Sequence, residues 1–157
     1  MSGARAWRLA GALCGLVVIL DQTAKALIEA NLVVGQDVAV VGPLDLTLSH
    51  NSGVAFGLAS GGGTRLVIVT VIALAVVGYL FSRDPTRPGM WVAAGLLAGG
   101  ALGNLADRIR VDAVTDYIAI GSWPAFNLAD VAVTAGVLLL AFAYVREPQA
   151  GERKGSG

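Results

Sequence analysis

Charge is scarce in this sequence. Lys, Arg, Asp and Glu together make up 14% of its 157 residues, where a water-soluble domain carries about 25%. A soluble surface is therefore hard to assemble. The few charges must sit in loops, or serve a purpose where they lie inside apolar segments. Basic and acidic residues balance at eleven each, so the concentrated basic surface that nucleic acid requires is missing. Cys14 is the one cysteine, which excludes an internal disulfide and a cysteine-based zinc site. His50 is the one histidine, so a His-rich metal site is excluded and a loop role suits it better. No glycine-rich phosphate loop of P-loop type occurs.

What the chain has in excess is apolar sequence, 55% of its residues. Four stretches stand out, at Trp7–Ile28, Leu66–Phe81, Met90–Leu105 and Phe126–Val145. A membrane span needs about 20 residues; the second and third stretches are slightly short, so their polar ends are expected in the interface. Four apolar segments with little polar sequence between them argue against soluble core helices. The expected fold is an all-α membrane protein of four transmembrane helices with a small β-containing extracytoplasmic loop region. One domain is expected over residues 1–147, followed by a polar, disordered tail at 148–157. Arg5, Arg8 and the first apolar run look like a signal peptide, but Leu13 before Cys14 is too large for a lipoprotein cleavage site and the run continues to Leu20. The first span is therefore read as retained, with Cys14 an ordinary thiol.

Charge asymmetry gives the orientation. Arg5, Arg8, Arg83, Arg87, Arg146, Arg153 and Lys154, seven of eleven basic residues, fall on one side of four spans. That side is assigned to the cytoplasm, with both termini inside. Trp7, Trp91, Tyr79 and Tyr144 fall near the same boundary as an aromatic belt. The acidic residues show the reverse bias: Asp21, Glu29, Asp37, Asp45, Asp107, Asp112, Asp116 and Asp130 lie at or beyond the outer ends of spans. The first outer loop has alternating apolar runs at Asp37–Val41 and Asp45–Leu48 around Gly42-Pro43, the pattern of a small hairpin. Gly61-Gly62-Gly63 reads as a flexible joint. Gly95, Gly99 and Gly103, four residues apart, mark one face of the third span as a close-packing face.

Ionisable residues against a span cost roughly 2.5–3.5 kcal/mol each at its centre, and so are functional candidates. Asp21 and Lys25 share a helix face, four residues apart, and a paired salt bridge anchoring the outer loop accounts for them. Asn104 and Arg108 are one turn apart; a buried Asn104 needs hydrogen-bond partners, while Arg108 alone would be an interfacial anchor. Asn127 and Asp130 open the fourth span on one face. Helix capping explains Asn127; Asp130 is too far into the helix to be the cap. Asp116 lies in an apolar run on the loop before that span. Two carboxylates so placed either serve separate structural ends or meet at the membrane surface. Within about 3 Å of each other they would share one proton, as in aspartic proteases. Ser49 or Ser52 with Lys25 would make a Ser/Lys hydrolase, but nothing brings them together. A transporter would need charges deep in several spans, and these spans are clean at mid-depth.

Five blocks resemble, in order, those of the bacterial lipoprotein signal peptidases (signal peptidase II). They are Asp21-Gln22-Thr23-Ala24-Lys25, residues 51–57 from Asn51 to Gly57, Gly103–Arg108, Val114–Ile118 and Phe126–Asp130. The resemblance implies an aspartic endopeptidase with Asp116 and Asp130 as its catalytic pair. Supporting roles fall to Asn51, Asn104, Arg108 and Asn127, with Asp21 and Lys25 behind them. The implied substrate is a prolipoprotein whose cysteine carries a diacylglyceryl group, cut on the N-terminal side of that cysteine. The implied setting is the bacterial cytoplasmic membrane, with the site near its outer face. No cofactor or metal is expected, the partners are substrate and membrane lipids, and the state is monomeric. Two positions depart from the family pattern: Asp112 where it usually has Gly, and Thr115 where it usually has Val. Asp112 is expected to point into water.

Overall fold

A computed structural model describes residues 1–53 and 62–145. Four helices, α1 (Gly3–Asn31), α2 (Gly62–Arg83), α3 (Met90–Val111) and α4 (Leu128–Val145), carry one small sheet. Its strands are β1 (Asp37–Val41), β2 (Leu44–Asn51), β3 (Val114–Ile120) and β4 (Trp123–Phe126), antiparallel in the order β1-β2-β3-β4.

By length and composition, three helices are apolar enough to cross a membrane: α1, α2 from Thr64, and α4. The fourth, α3, is as long as α2, at 22 residues. Its four glycines, with Asn104 and Asp107, dilute its apolar content. The reason is position. The other three helices all pack on α3, so it needs small residues more than lipid-facing ones. Both α2 and α3 extend past the short segments expected from hydropathy.

Packing is inverted relative to a soluble bundle. The buried apolar residues are mainly small, among them Ala6, Ala10, Ala93, Ala94, Ala129 and Ala132, while Ile19, Val69, Ile72 and Leu138 are each more than half exposed. An exposed apolar surface of this extent marks contact with lipid. Inside lipid no hydrophobic drive joins helix to helix, so close approach of backbones must do it. Gly95 and Gly99 lie against α1: a Cβ at Gly95 would meet the Ala10 carbonyl at 3.0 Å, and one at Gly99 would meet Val17 Cβ at 2.7 Å. Gly103 lies over the Asp21 carboxylate on the same face. Gly100, which the four-residue spacing did not include, meets the Ala129 backbone of α4 instead.

The expected hairpin is present as β1 and β2, turning at Gly42-Pro43 with Gly42 at φ +56°. The second hairpin was expected as loop. Residues 114–120 form β3, and Phe126, expected to open the fourth span, ends β4; Asn127 follows it and α4 begins at Leu128. Gly62 and Gly63 belong to α2 rather than to a joint, because the helix begins one turn earlier than its apolar run. Gly61, the block residues 54–57 and the tail at 148–157 lie outside the described residues. At the end of the bundle away from the sheet, the Trp7 ring meets Phe81 edge-on at 4.6 Å, and the Arg87 guanidinium lies 4.3 Å from the Tyr144 ring centre.

Because Gly99 leaves no room for a side chain, Gly99→Val should destabilise the bundle by about 1–3 kcal/mol. Gly78→Ala, with nothing within 4 Å of its Cβ position, should not. Thermal unfolding in detergent would separate the two, and equal midpoints would contradict the close α1–α3 contact.

Candidate active site

The site begins with a buried cation. Lys25 on α1 is fully buried, and its ammonium contacts Asp21 at 2.8 Å and Asp107 at 2.7 Å, both also fully buried. Burying charges costs several kcal/mol per ion unless each is paired and hydrogen-bonded. Here each is. Gln22 Nε2 donates to Asp107 Oδ1 at 2.9 Å, to Asp21 Oδ2 at 3.2 Å and to the Gly103 carbonyl at 3.1 Å. The Thr115 backbone N–H donates to Asp107 Oδ2 at 3.3 Å. The salt bridge expected between Asp21 and Lys25 is therefore part of a larger cluster. Its third member, Asp107, came from another helix and gave no local signal.

The ammonium has three donors, and the third goes to Asn104 Oδ1 at 3.0 Å. That contact fixes which way the amide points. With its oxygen held by Lys25, Asn104 Nδ2 donates to Asp130 Oδ1 at 2.7 Å. The Arg108 Nη1 group donates to the Asn104 backbone carbonyl at 3.3 Å, and its positive charge faces Asp130 and Asp116.

The start of α4 holds the second carboxylate. A helix N-terminus leaves free N–H groups, and here side chains from two other elements and the Asn127 cap take them. Leu128 N–H donates to the Tyr117 hydroxyl of β3 at 3.3 Å, Ala129 N–H to Asp21 Oδ1 of α1 at 2.9 Å, and Asp130 N–H to Asn127 Oδ1 at 2.9 Å. Asn127 N–H donates in return to Asp130 Oδ2 at 3.4 Å. Asn127 is thus the cap, and Asp130 closes a reciprocal capping box three residues on.

Asp116 sits mid-strand on β3, opposite Ser49 of β2. Its Oδ1 accepts from Asn127 Nδ2 at 2.7 Å and its Oδ2 from Asn51 Nδ2 at 3.1 Å. Asn51 is oriented in the same manner as Asn104, because its own Oδ1 accepts from Gly53 N–H at 2.9 Å. Asn127 therefore touches both carboxylates, Asp116 through its side chain and Asp130 through its backbone. Burial chiefly pushes the Asp116 carboxyl up to about 6, with the Asp130 charge adding to it; hydrogen bonds from Asn51 and Asn127 and the Lys25 charge oppose the rise.

Asp21, Lys25, Asn51, Asn104, Arg108, Asp116, Asn127 and Asp130 thus converge where α1, α3 and α4 meet the sheet. His50 is exposed on β2. Lys25 spends all its donors inside the cluster, which leaves nothing for a Ser/Lys arrangement.

The sequence profile described as signal peptidase (SPase) II matches residues 13–146. The chain belongs to the signal peptidase II family. A lipoprotein signal peptidase of Pelotomaculum thermopropionicum is 42% identical over 142 residues, covering 88% of this chain and 93% of that one. One of Moorella thermoacetica is 40% identical over 131 residues, covering 80% and 85%. Among solved structures, a bacterial membrane enzyme determined by the in meso method at 1.9 Å resolution superposes with a TM-score of 0.82 at 35% identity, covering 88% of this chain and 94% of that one.

The two departures from the family pattern now have places. Asp112 caps α3 with φ +56°, a left-handed position that suits glycine, and its side chain is exposed. Thr115 is fully buried and donates to Glu29 Oε1 at 2.6 Å, joining β3 to the C-terminal end of α1. Three residues that stand inside the five blocks but were given no role of their own also bond within the cluster: Asp107, Gln22 and Tyr117 through its hydroxyl.

Replacing Lys25 by Met leaves the buried Asp21 without a counterion and Asp107 with only the exposed Arg110, 3.5 Å away, so Lys25→Met should cost about 3–5 kcal/mol. Denaturant unfolding in detergent micelles measures this, and an unchanged midpoint would mean the cluster is not structural.

Proposed function

We propose that Asp116 and Asp130 are the catalytic pair of this peptidase, and that Asn51, Asn104, Asn127 and Arg108 hold them and the substrate. The observation that carries this reading is Asn127, whose side chain and backbone serve one carboxylate each. The chain is a membrane-embedded protease of the signal peptidase II family that removes signal peptides from prolipoproteins. Its substrate carries a diacylglyceryl group on the cysteine, and the bond cut lies on the N-terminal side of that residue.

The chemistry follows from one shared proton. The ionised carboxylate takes a proton from water as the water oxygen attacks the scissile carbonyl, while the protonated partner hydrogen-bonds the carbonyl oxygen. The tetrahedral intermediate collapses, the C–N bond breaks and the leaving nitrogen takes a proton from the pair. The two carboxyls exchange the roles of acid and base within the cycle, so neither is given a fixed role. Arg108 and the amides supply fixed positive dipoles where negative charge develops on the carbonyl oxygen.

In this reading the chain crosses the bacterial cytoplasmic membrane four times, with both termini in the cytoplasm and the site near the outer face. Support comes from Arg5, Arg8, Arg83 and Arg87, which lie toward the end of the bundle opposite the sheet, and from Arg146, Arg153 and Lys154, which follow the fourth apolar stretch in the sequence. Every residue invoked lies on one chain, which supports a monomeric unit.

Asp116→Asn and Asp130→Asn should each abolish cleavage of a diacylglyceryl-modified prolipoprotein in detergent, with unchanged circular dichroism. Full activity in either variant would end the assignment. A second outcome concerns pH. A carboxyl raised to about 6 keeps its proton below that pH and loses it above, so the rate should fall as pH rises through about 6. Asn51→Ala removes a donor to the ionised form and should move that alkaline limb to higher pH; a downward move in the pH–rate profile would contradict the assigned contact.

A further inference from the structure

Side chains on β3 alternate between its two faces. Asp116 points into the site, while Thr115 and Tyr117, on either side of it, point the other way, toward the helices. All three are buried. Burying a hydroxyl costs free energy unless it is hydrogen-bonded, and Val or Phe would fill the same two places without that cost. The family pattern usually has Val at position 115. Packing alone therefore does not account for two hydroxyls at the back of this strand.

Each hydroxyl ties the strand to a different helix. Thr115 Oγ1 donates to Glu29 Oε1 at 2.6 Å, near the C-terminal end of α1. Tyr117 Oη accepts from the Leu128 N–H at 3.3 Å, in the first turn of α4 and two residues before Asp130. The Thr115 backbone adds two further holds: its N–H donates to Asp107 Oδ2 of α3, and its carbonyl accepts from Asn127 Nδ2, both at 3.3 Å. The residues flanking Asp116 thus engage all three helices that meet at the site. The Asp116 carboxylate is held by the amides of Asn51 and Asn127, so its distance from Asp130 follows from where the strand stands against α4.

We propose that Thr115, acting through Glu29, and Tyr117, acting through the first turn of α4, are positioning residues that set the separation of Asp116 from Asp130. The proposal rests on the reading of that pair as catalytic, and adds what holds the two acids at working distance. The Tyr117 bond joins strand to helix directly, and the Thr115 bond stops the strand from shifting along α1. Catalysis by held groups falls steeply with displacement: about 1 Å can cost about 100-fold. Neither hydroxyl bonds a carboxylate of the pair, and both lie behind the face that presents Asp116. Their loss therefore acts on the chemical step rather than on substrate binding.

The test measures kcat and KM on a diacylglyceryl-modified prolipoprotein in detergent, with thermal unfolding of every variant alongside. Thr115→Val and Tyr117→Phe keep shape and remove one hydroxyl each. Each should lower kcat about ten-fold and leave KM within about two-fold of wild type. Thr115→Ser keeps the hydroxyl and should rescue most of the lost rate. Glu29 is exposed, and among the described residues its carboxylate bonds Thr115 alone. Glu29→Ala should therefore lower kcat as far as Thr115→Val does, and the double variant no further, since both break one bond. Glu29→Gln keeps an oxygen acceptor without the charge and should rescue the rate lost in Glu29→Ala, which separates the bond from the charge. A lower unfolding midpoint with unchanged kcat would make the hydroxyls purely structural and overturn the proposal. So would Thr115→Ser as slow as Thr115→Val, Glu29→Gln as slow as Glu29→Ala, or a rise in KM at constant kcat. Should Tyr117→Phe fail to fold, the Thr115 and Glu29 variants decide. Wild-type enzyme that cleaves no such substrate, or Asp116→Asn that cleaves it at full rate, would instead overturn the peptidase reading, and the positioning role would fall with it.

Discussion

One buried ammonium organises this molecule. Lys25 meets two carboxylates and an amide oxygen, one for each of its donors. Asp21 lies on its own helix, while Asp107 and Asn104 belong to α3. A surface ion pair contributes little. This one is fully buried, so its geometry is held by the cost of leaving any member unpaired. From it the arrangement propagates outward. Lys25 turns Asn104, Asn104 reaches Asp130, and Asp21 holds the first turn of α4 through the Ala129 N–H.

The cluster in turn requires α1 and α3 to lie unusually close. Glycine at 95, 99 and 103 provides that approach, and Gly103 lets the Asp21 carboxylate sit over the helix backbone where a Cβ would be 2.7 Å away. Packing and electrostatics are therefore one device. Small residues bring the backbones together, and the closeness makes an otherwise costly ion cluster satisfiable. In lipid this matters more than in water, because no hydrophobic gain holds the helices in contact.

The sheet brings the other half of the site. β3 carries Asp116, β2 carries Asn51 beside it, and the β3–β4 hairpin delivers the chain to the start of α4 with Asn127 as its cap. Rigid strands and a capped helix end hold the two acids more firmly than free loops would. A capping residue that also donates to Asp116 does two tasks with one amide: it ends the helix and it fixes a carboxylate. Asp116 is held protonated to a higher pH than an exposed carboxyl chiefly because it is buried, with the nearby Asp130 charge adding to the rise.

Helix number, the first hairpin, the packing glycines and the Asp21–Lys25 pair were legible in the sequence, because each depends on neighbours three or four residues away or on local turn chemistry. So was the grouping of acids toward one end of the helices, the end that carries the sheet, since desolvation restricts where charge can lie. The start of α4 was misplaced by two residues, and β3 was read as loop, because a short apolar strand and a helix flank look alike without their partners. Asp107 as a third member of the ion cluster, the direction of each amide, and the meeting of Asn127 with both Asp116 and Asp130 were decided by tertiary structure alone. The side-chain contacts of Asp107 with Gln22, of Asn104 with Lys25 and Asp130, and of Asn127 with Asp116 join residues between 11 and 85 positions apart, and no local pattern encodes a hydrogen bond whose two ends are brought together only by packing.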